Sequence, residues 1–90
     1  MYTVDLDDSR SLNKELKAMS KAGLGAAFDT LRGKLERNPL KQGQQLVNSS
    51  LYKCRLGKDW RVIYEIHRDQ HKVVIKRIRH RGAPNVYDDV

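Results

Sequence analysis

Three runs of alternating side chains, residues 52–56, 60–67 and 72–81, follow one another with only Gly57-Lys58-Asp59 and Arg68-Asp69-Gln70-His71 between them. Connections this short make neighbouring antiparallel strands, since a parallel crossover needs a dozen or more residues. Both connections carry turn-forming residues. In the first strand, alternation puts Tyr52, Cys54 and Leu56 on one face and Lys53 with Arg55 on the other. In the second, Val62, Tyr64 and Ile66 form one row, while Arg61, Ile63, Glu65 and His67 form the other. Uninterrupted alternation in the third strand places Val73, Ile75, Arg77, Arg79 and Arg81 in a single row, apolar at its start and cationic at its end. That pattern predicts a sheet covered by helices at one end and open at the other, with Lys53, Arg55, Arg61 and Arg81 converging at the open end.

The first half of the chain reads differently. Residues 1–6 alternate, with Tyr2, Val4 and Leu6 facing one way, which predicts a short strand. Asp7, Asp8 and Ser9 then supply helix-start chemistry, and Leu12, Leu16 and Met19 follow at helical spacing. Gly23 and Gly25 break this pattern. A second helical stripe runs through Leu24, Ala27, Phe28, Leu31 and Leu35, and it must stop near Arg37 because Pro39 pushes Asn38 out of the helical region. The two stripes describe an αα-hairpin whose apolar side chains are core. Residues 38–51 are rich in Gln, Asn and Ser and read as a loop anchored by Leu46 and Val47. The predicted fold is therefore α+β in the order β-α-α-β-β-β: an N-terminal strand, an αα-hairpin and a three-stranded antiparallel sheet.

At 90 residues there is room for one domain, spanning residues 1–90, with a thin core. Hydrophobic residues make up 39% and charged residues 32%, which is polar for a globular chain but is not the profile of a disordered one. Asp5, Asp7 and Asp8 interrupt the N-terminus where a signal sequence would need an apolar stretch, and no apolar run approaches the roughly 20 residues of a membrane span. A cytoplasmic protein without membrane contact is expected. The single cysteine, Cys54, makes no internal disulfide, and no Cys/His cluster has metal-ligand spacing, so no cofactor is expected.

The net charge of +7 is unevenly placed. Residues 52–81 hold ten basic and three acidic residues, whereas the rest of the chain holds eight of each, so one third of the sequence carries the whole imbalance. Clustered cations attract polyanions through phosphate contact and counterion release. On charge alone, nucleic acid stands level with an ordinary solvated face and with an acidic protein partner.

One ordered combination of residues is more specific. Asn38-Pro39-Leu40-Lys41, Gly43, Leu46, Tyr52-Lys53-Cys54-Arg55-Leu56-Gly57, Trp60-Arg61-Val62-Ile63-Tyr64-Glu65-Ile66, His80-Arg81 and Tyr87 together resemble the RelE/ParE toxin superfamily of type II toxin–antitoxin systems. The resemblance covers essentially the whole chain and is strongest over residues 52–67. It implies a RelE-like microbial ribonuclease fold. That superfamily holds ribosome-dependent endoribonucleases that cut messenger RNA in the A site of the small ribosomal subunit. It also holds gyrase poisons that lack the ribonuclease residues. Lys53 and Arg55 match the two cations of the first C-terminal strand, Arg61 the arginine after the aromatic, and Arg81 and Tyr87 the terminal arginine and tyrosine. All five positions are filled, with Arg55 standing where a lysine is often found, which favours the nuclease branch.

The resemblance implies cleavage without a metal, in which the 2′-OH attacks the neighbouring phosphate. The transition state gains negative charge on phosphoryl oxygens, and fixed cations aimed there are worth about 3–4 kcal/mol each in favourable cases. Lys53, Arg55 and Arg61 are the candidates for that role, Arg81 for the leaving 5′-oxygen and Tyr87 for orienting the 2′-OH or stacking on a base. Lys58, Arg77, Arg79 and His80 are candidate RNA contacts. Gly82-Ala83-Pro84 departs from the family pattern, and Asp88 and Asp89 place two negative charges beside Tyr87. Tyr52 and Tyr64 read as core, Cys54 as a small buried residue, Trp60 as a core or edge aromatic, His67 and His71 as turn-edge residues and Glu65 as the partner of a cross-strand cation. The partners implied are a cognate antitoxin, messenger RNA and the ribosome, with operator DNA only for the toxin–antitoxin complex.

Overall fold

The computed structural model describes residues 1–80. The chain runs through β1 (Thr3–Leu6), α1 (Arg10–Lys21), α2 (Gly25–Arg37), the single turn α3 (Pro39–Gln42), β2 (Gln44–Gln45), β3 (Leu51–Leu56), β4 (Trp60–His67), a 3₁₀ turn (Arg68–Gln70) and β5 (Lys72–His80). The predicted α+β order holds, and β4 has the predicted bounds.

The sheet is larger than the predicted three strands. It has five, in the order β1-β5-β4-β3-β2. The N-terminal strand joins it at one edge, parallel to β5, with Val4 opposite Val73 and Leu6 opposite Ile75. At the other edge Gln44 and Gln45 pair with Lys53 and Tyr52. The stretch expected to be a loop therefore contains a helical turn and an edge strand. Its anchor is Pro39, which is buried, and not Val47, which is 88% exposed. Leu6, expected to face inward with Tyr2 and Val4, lies at the end of β1 and is 39% exposed.

Local chemistry accounts for the helices. Ser9 has extended backbone angles and its Oγ accepts from the Leu12 amide at 3.1 Å, capping α1. Gly23 takes the left-handed conformation (φ 83°) that ends the helix, which a side chain would strain. Leu12 and Met19 from α1 and Phe28, Leu31 and Leu35 from α2 are buried in one cluster with Val4, Cys54, Leu56, Val62, Tyr64, Val73, Ile75 and Ile78. The helices thus cover one whole face of the sheet and not one end of it. Among the described residues, no helix is long and apolar enough to cross a membrane.

Register corrects the third-strand row. Val62 pairs with Ile78 and Ile63 with Arg77, but Tyr64 pairs with Ile75, so Lys76 is an extra residue in β5. A bulge of this kind shifts every later side chain to the opposite face. Val73, Ile75 and Ile78 all point into the core, whereas Arg77 and Arg79 leave the row of Val73 and Ile75 and join the outer face. Lys76 itself reaches Asp7 at 3.2 Å.

Candidate functional site

The outer face of the sheet is the one the helices leave uncovered. Cross-strand pairing lines up Arg55, Arg61 and Arg79 in one row, and Lys53, Ile63 and Arg77 in the next. Directly opposed residues stand about 5 Å apart, and like charges placed there destabilise a sheet. Five cations are therefore gathered on three adjacent strands.

The cations on β3 and β4 border a cleft of about 250 Å³ lined by Gln44, Lys53, Cys54, Arg55 and Arg61. Arg55 is exposed, and no acidic side chain is paired with Arg55 or Arg61 among the described residues. Arg61 donates from Nη1 to its neighbour's carbonyl, Trp60 O, at 3.0 Å, which holds its guanidinium against β4. The floor of this region is tightly built. A Cβ on Gly43 would stand 2.5 Å from the Lys53 carbonyl oxygen and 2.6 Å from the Tyr64 hydroxyl, so only glycine lets β2 lie this close to β3. The Tyr64 hydroxyl donates to the Pro39 carbonyl at 2.8 Å, and its ring stacks on Tyr52 with centroids 5.7 Å apart. Burial, with smaller effects from Cys54 and Tyr52, pushes the Tyr64 phenol above its ordinary pKa. Burial also pushes the Cys54 thiol up to about 12, so it is a protonated, unreactive side chain at neutral pH.

The cations on β5 have an acid beside them. Glu15, on α1, accepts from Arg77 Nε at 3.1 and 3.2 Å and from Arg77 Nη2 at 2.9 Å. Its Oε2 lies 3.6 Å from Arg79 Nε. Its Oε1 also accepts from the Ile78 amide at 2.8 Å. The sequence reading did not single out Glu15. The signal was present: Glu15 falls three residues after Leu12 and four before Met19, which places a carboxylate at the margin of an apolar stripe. Gln44 was also missed, because nothing in a polar segment marks it as part of a strand.

The remaining candidates are spread out. Lys58 sits exposed in the turn after Gly57, away from the two rows. His80 pairs with Trp60 on the helix side of the sheet, where the rings meet edge to face at 5.2 Å and 75°. Arg81 and Tyr87 lie outside the described residues. Glu65 is bonded to His67 at 2.7 Å and accepts from Ser50 Oγ at 3.0 Å, and among the described residues no cross-strand cation is paired with it. Along β4 it is four residues from Arg61, or about 13 Å at ordinary strand rise. Among the described residues, the lining of the cleft holds no Asp, Glu or His. The lysine, arginine and glutamine side chains of the lining offer cationic and amide donors to anionic oxygens.

Comparison with known proteins fits this picture. The sequence model of a family described as the ParE toxin of type II toxin–antitoxin system, parDE, matches residues 6–83. The fold is similar to a chain of the toxin–antitoxin complex RelBE2 from Mycobacterium tuberculosis, with 28% identity, 89% of this chain and 98% of that chain covered, and a TM-score of 0.73. It is similar to a chain of the archaeal RelE–RelB complex from Pyrococcus horikoshii OT3, with 28% identity, 90% and 96% covered, and a TM-score of 0.72. A chain of the intact RelBE toxin–antitoxin complex of E. coli shares the fold at 16% identity, with 89% and 96% covered and a TM-score of 0.69. No curated protein matches the sequence.

Proposed function

The chain belongs to the ParE toxin family of type II toxin–antitoxin systems, within the RelE/ParE superfamily, and from that premise we propose that it is a ribosome-dependent endoribonuclease. In this reading a single toxin domain spanning residues 1–90 works in the cytoplasm, cuts messenger RNA in the ribosomal A site and is neutralised by a cognate antitoxin. The observation that carries it is the gathering of Lys53, Arg55 and Arg61 around one cleft on the outer face of the sheet.

The chemistry follows from what such a cleft can do. The 2′-oxygen of one nucleotide bonds to the adjacent phosphorus and the bond to the 5′-oxygen breaks. The products are a 2′,3′-cyclic phosphate and a free 5′-OH. Charge grows on the non-bridging oxygens as the new bond forms. Arg55 and Arg61 meet it with planar forks and Lys53 with a point charge. A phosphate entering among these three cations relieves the repulsion between like charges. Arg81 would stabilise the departing oxygen, and Tyr87 would orient the 2′-OH or stack on a base. The proton of the 2′-OH passes to solvent water, and the departing 5′-oxygen takes a proton from solvent to give the free 5′-OH.

The match to the ParE family model favours a second reading, a gyrase-directed inhibitor on the same fold. Expressing the chain alone in bacteria and mapping RNA 5′ ends within minutes separates the two. In-frame messenger cuts with a collapse of protein synthesis support the nuclease. Intact messenger with gyrase-linked DNA breaks supports the second reading and sinks the first.

A further inference from the structure

Glu15 has no place in the chemistry above, yet its carboxylate, with a side chain only 15% exposed, is bonded to an arginine side chain and to a strand amide at the edge of the cationic face. Two features of the sheet explain why an acid stands there. β1 stops at Leu6, opposite Ile75, so among the described residues no strand receives the outward amide of Ile78 beyond the bulge. The carboxylate of Glu15 replaces that strand at Ile78. The bulge also turns Arg77 and Arg79 onto the outer face, at the end of rows already occupied by Lys53, Arg55 and Arg61. Without that carboxylate, Arg77 and Arg79 would add their full charge to a face that already holds three cations.

We propose that Glu15 is a positioning residue acting as an internal counter-anion. It engages Arg77 with two-nitrogen geometry, holds the Arg77–Ile78–Arg79 backbone against α1, and so confines phosphate binding to the β3–β4 half of the face. The proposal rests on the reading of that face as an RNA surface. Its occupant is single-stranded RNA, whose phosphates compete for the same arginines. With Glu15 charged, Arg77 is already satisfied and the RNA register is fixed by Lys53, Arg55 and Arg61. With Glu15 neutral, Arg77 and Arg79 become additional phosphate contacts and RNA settles in more than one register. Binding then strengthens while cleavage weakens, a split that a merely structural role would not produce.

The test compares wild type with Glu15→Gln, using Asp29→Asn, an exposed acid on α2, as the control for net charge. The binding probe is a uridine pentanucleotide titrated at several salt concentrations, and cleavage is measured on messenger-programmed ribosomes. For Glu15→Gln the expected result is an affinity gain of about three- to fivefold at low salt. The salt slope should steepen by about 0.7, the value of one added phosphate contact on a single strand. Asp29→Asn should leave the slope unchanged. Equal slopes for wild type and Glu15→Gln, or binding and cleavage that fall together, overturn the proposal. Should Glu15→Gln not fold, wild type alone decides: on adding the pentanucleotide, the Nε–Hε resonances of Arg55 and Arg61 should shift and that of Arg77 should stay. An equal shift at Arg77 overturns it. Failure of the nuclease reading shows separately, as wild type that binds the oligonucleotide but leaves ribosome-bound messenger intact.

Discussion

The outer face of the sheet has two halves that carry the same kind of charge and use it differently. On β3 and β4, Lys53, Arg55 and Arg61 border an open cleft without an acid in its lining. On β5, Arg77 and Arg79 stand against Glu15, which also receives a strand amide. On the β5 half one carboxylate offsets part of the charge of two arginines inside the fold. On the β3–β4 half no acidic side chain is paired with Arg55 or Arg61 among the described residues, and cations so placed are what the proposed phosphate site calls for. Counting basic residues along the sequence does not separate the halves; the position of one carboxylate does.

The largest effect that sharpens this contrast is catalytic. Lys53→Ala and Arg61→Ala should each lower cleavage of ribosome-bound messenger by about 10²–10³-fold, the usual cost of removing one fixed transition-state contact. Stability should change by about 1 kcal/mol or less, because both side chains stand on the outer face of the sheet and their loss leaves the core cluster intact. Single-turnover cleavage and urea melts measure the two quantities. Gly43→Ala probes the platform beneath the same half. Its new methyl collides with the Lys53 carbonyl and the Tyr64 hydroxyl, and should cost about 1–3 kcal/mol in denaturation. A neutral result would show that β2 is not held tightly against β3.

The next comparison is thermodynamic. Arg77→Ala should destabilise the fold by about 1 kcal/mol, since it breaks a partly exposed but bidentate pair, whereas Arg55→Ala should stay within about 0.5 kcal/mol. Equal losses would erase the distinction between the halves. The smallest effect concerns Cys54, whose thiol is raised by burial to about 12 from 9.0. A thiol that is harder to ionise when folded stabilises the protein fully below pH 9. That contribution is lost as pH rises from about 9 toward 12, because the unfolded chain ionises first. Melting temperature should decline over that window in wild type and less so in Cys54→Ala, while thiol reagents react slowly at neutral pH.

Much of this arrangement was legible in the sequence. The period-two runs gave β4 its limits, put Lys53 with Arg55 on one face of their strand and set Arg61 in the row opposite Val62 and Tyr64, because side-chain direction in a regular strand is fixed by alternation. The helix stripes and the Ser9 cap were equally readable. The bulge at Lys76 was not: alternation assumes an unbroken ladder, and one extra residue sends Arg77 and Arg79 to the other face. Nor did the polar pair Gln44 and Gln45 signal a strand, since its pairing comes from the packing of Gly43 and Pro39 against β3 and Tyr64. The engagement of Arg77 by Glu15 spans 62 positions, and a contact so remote in sequence depends on the finished fold.

The account stands on the location of the cations and not on their number. Single-turnover cleavage of ribosome-bound messenger, comparing wild type, Lys53→Ala/Arg61→Ala and Arg68→Ala, tests that claim most directly. Arg68 is an exposed cation in the turn between β4 and β5, beyond the far end of the face. The account predicts that the double variant loses cleavage by more than about 10³-fold while remaining folded, and that Arg68→Ala cuts like wild type. Undiminished cleavage by the folded double variant, or equal losses in both variants, would contradict it.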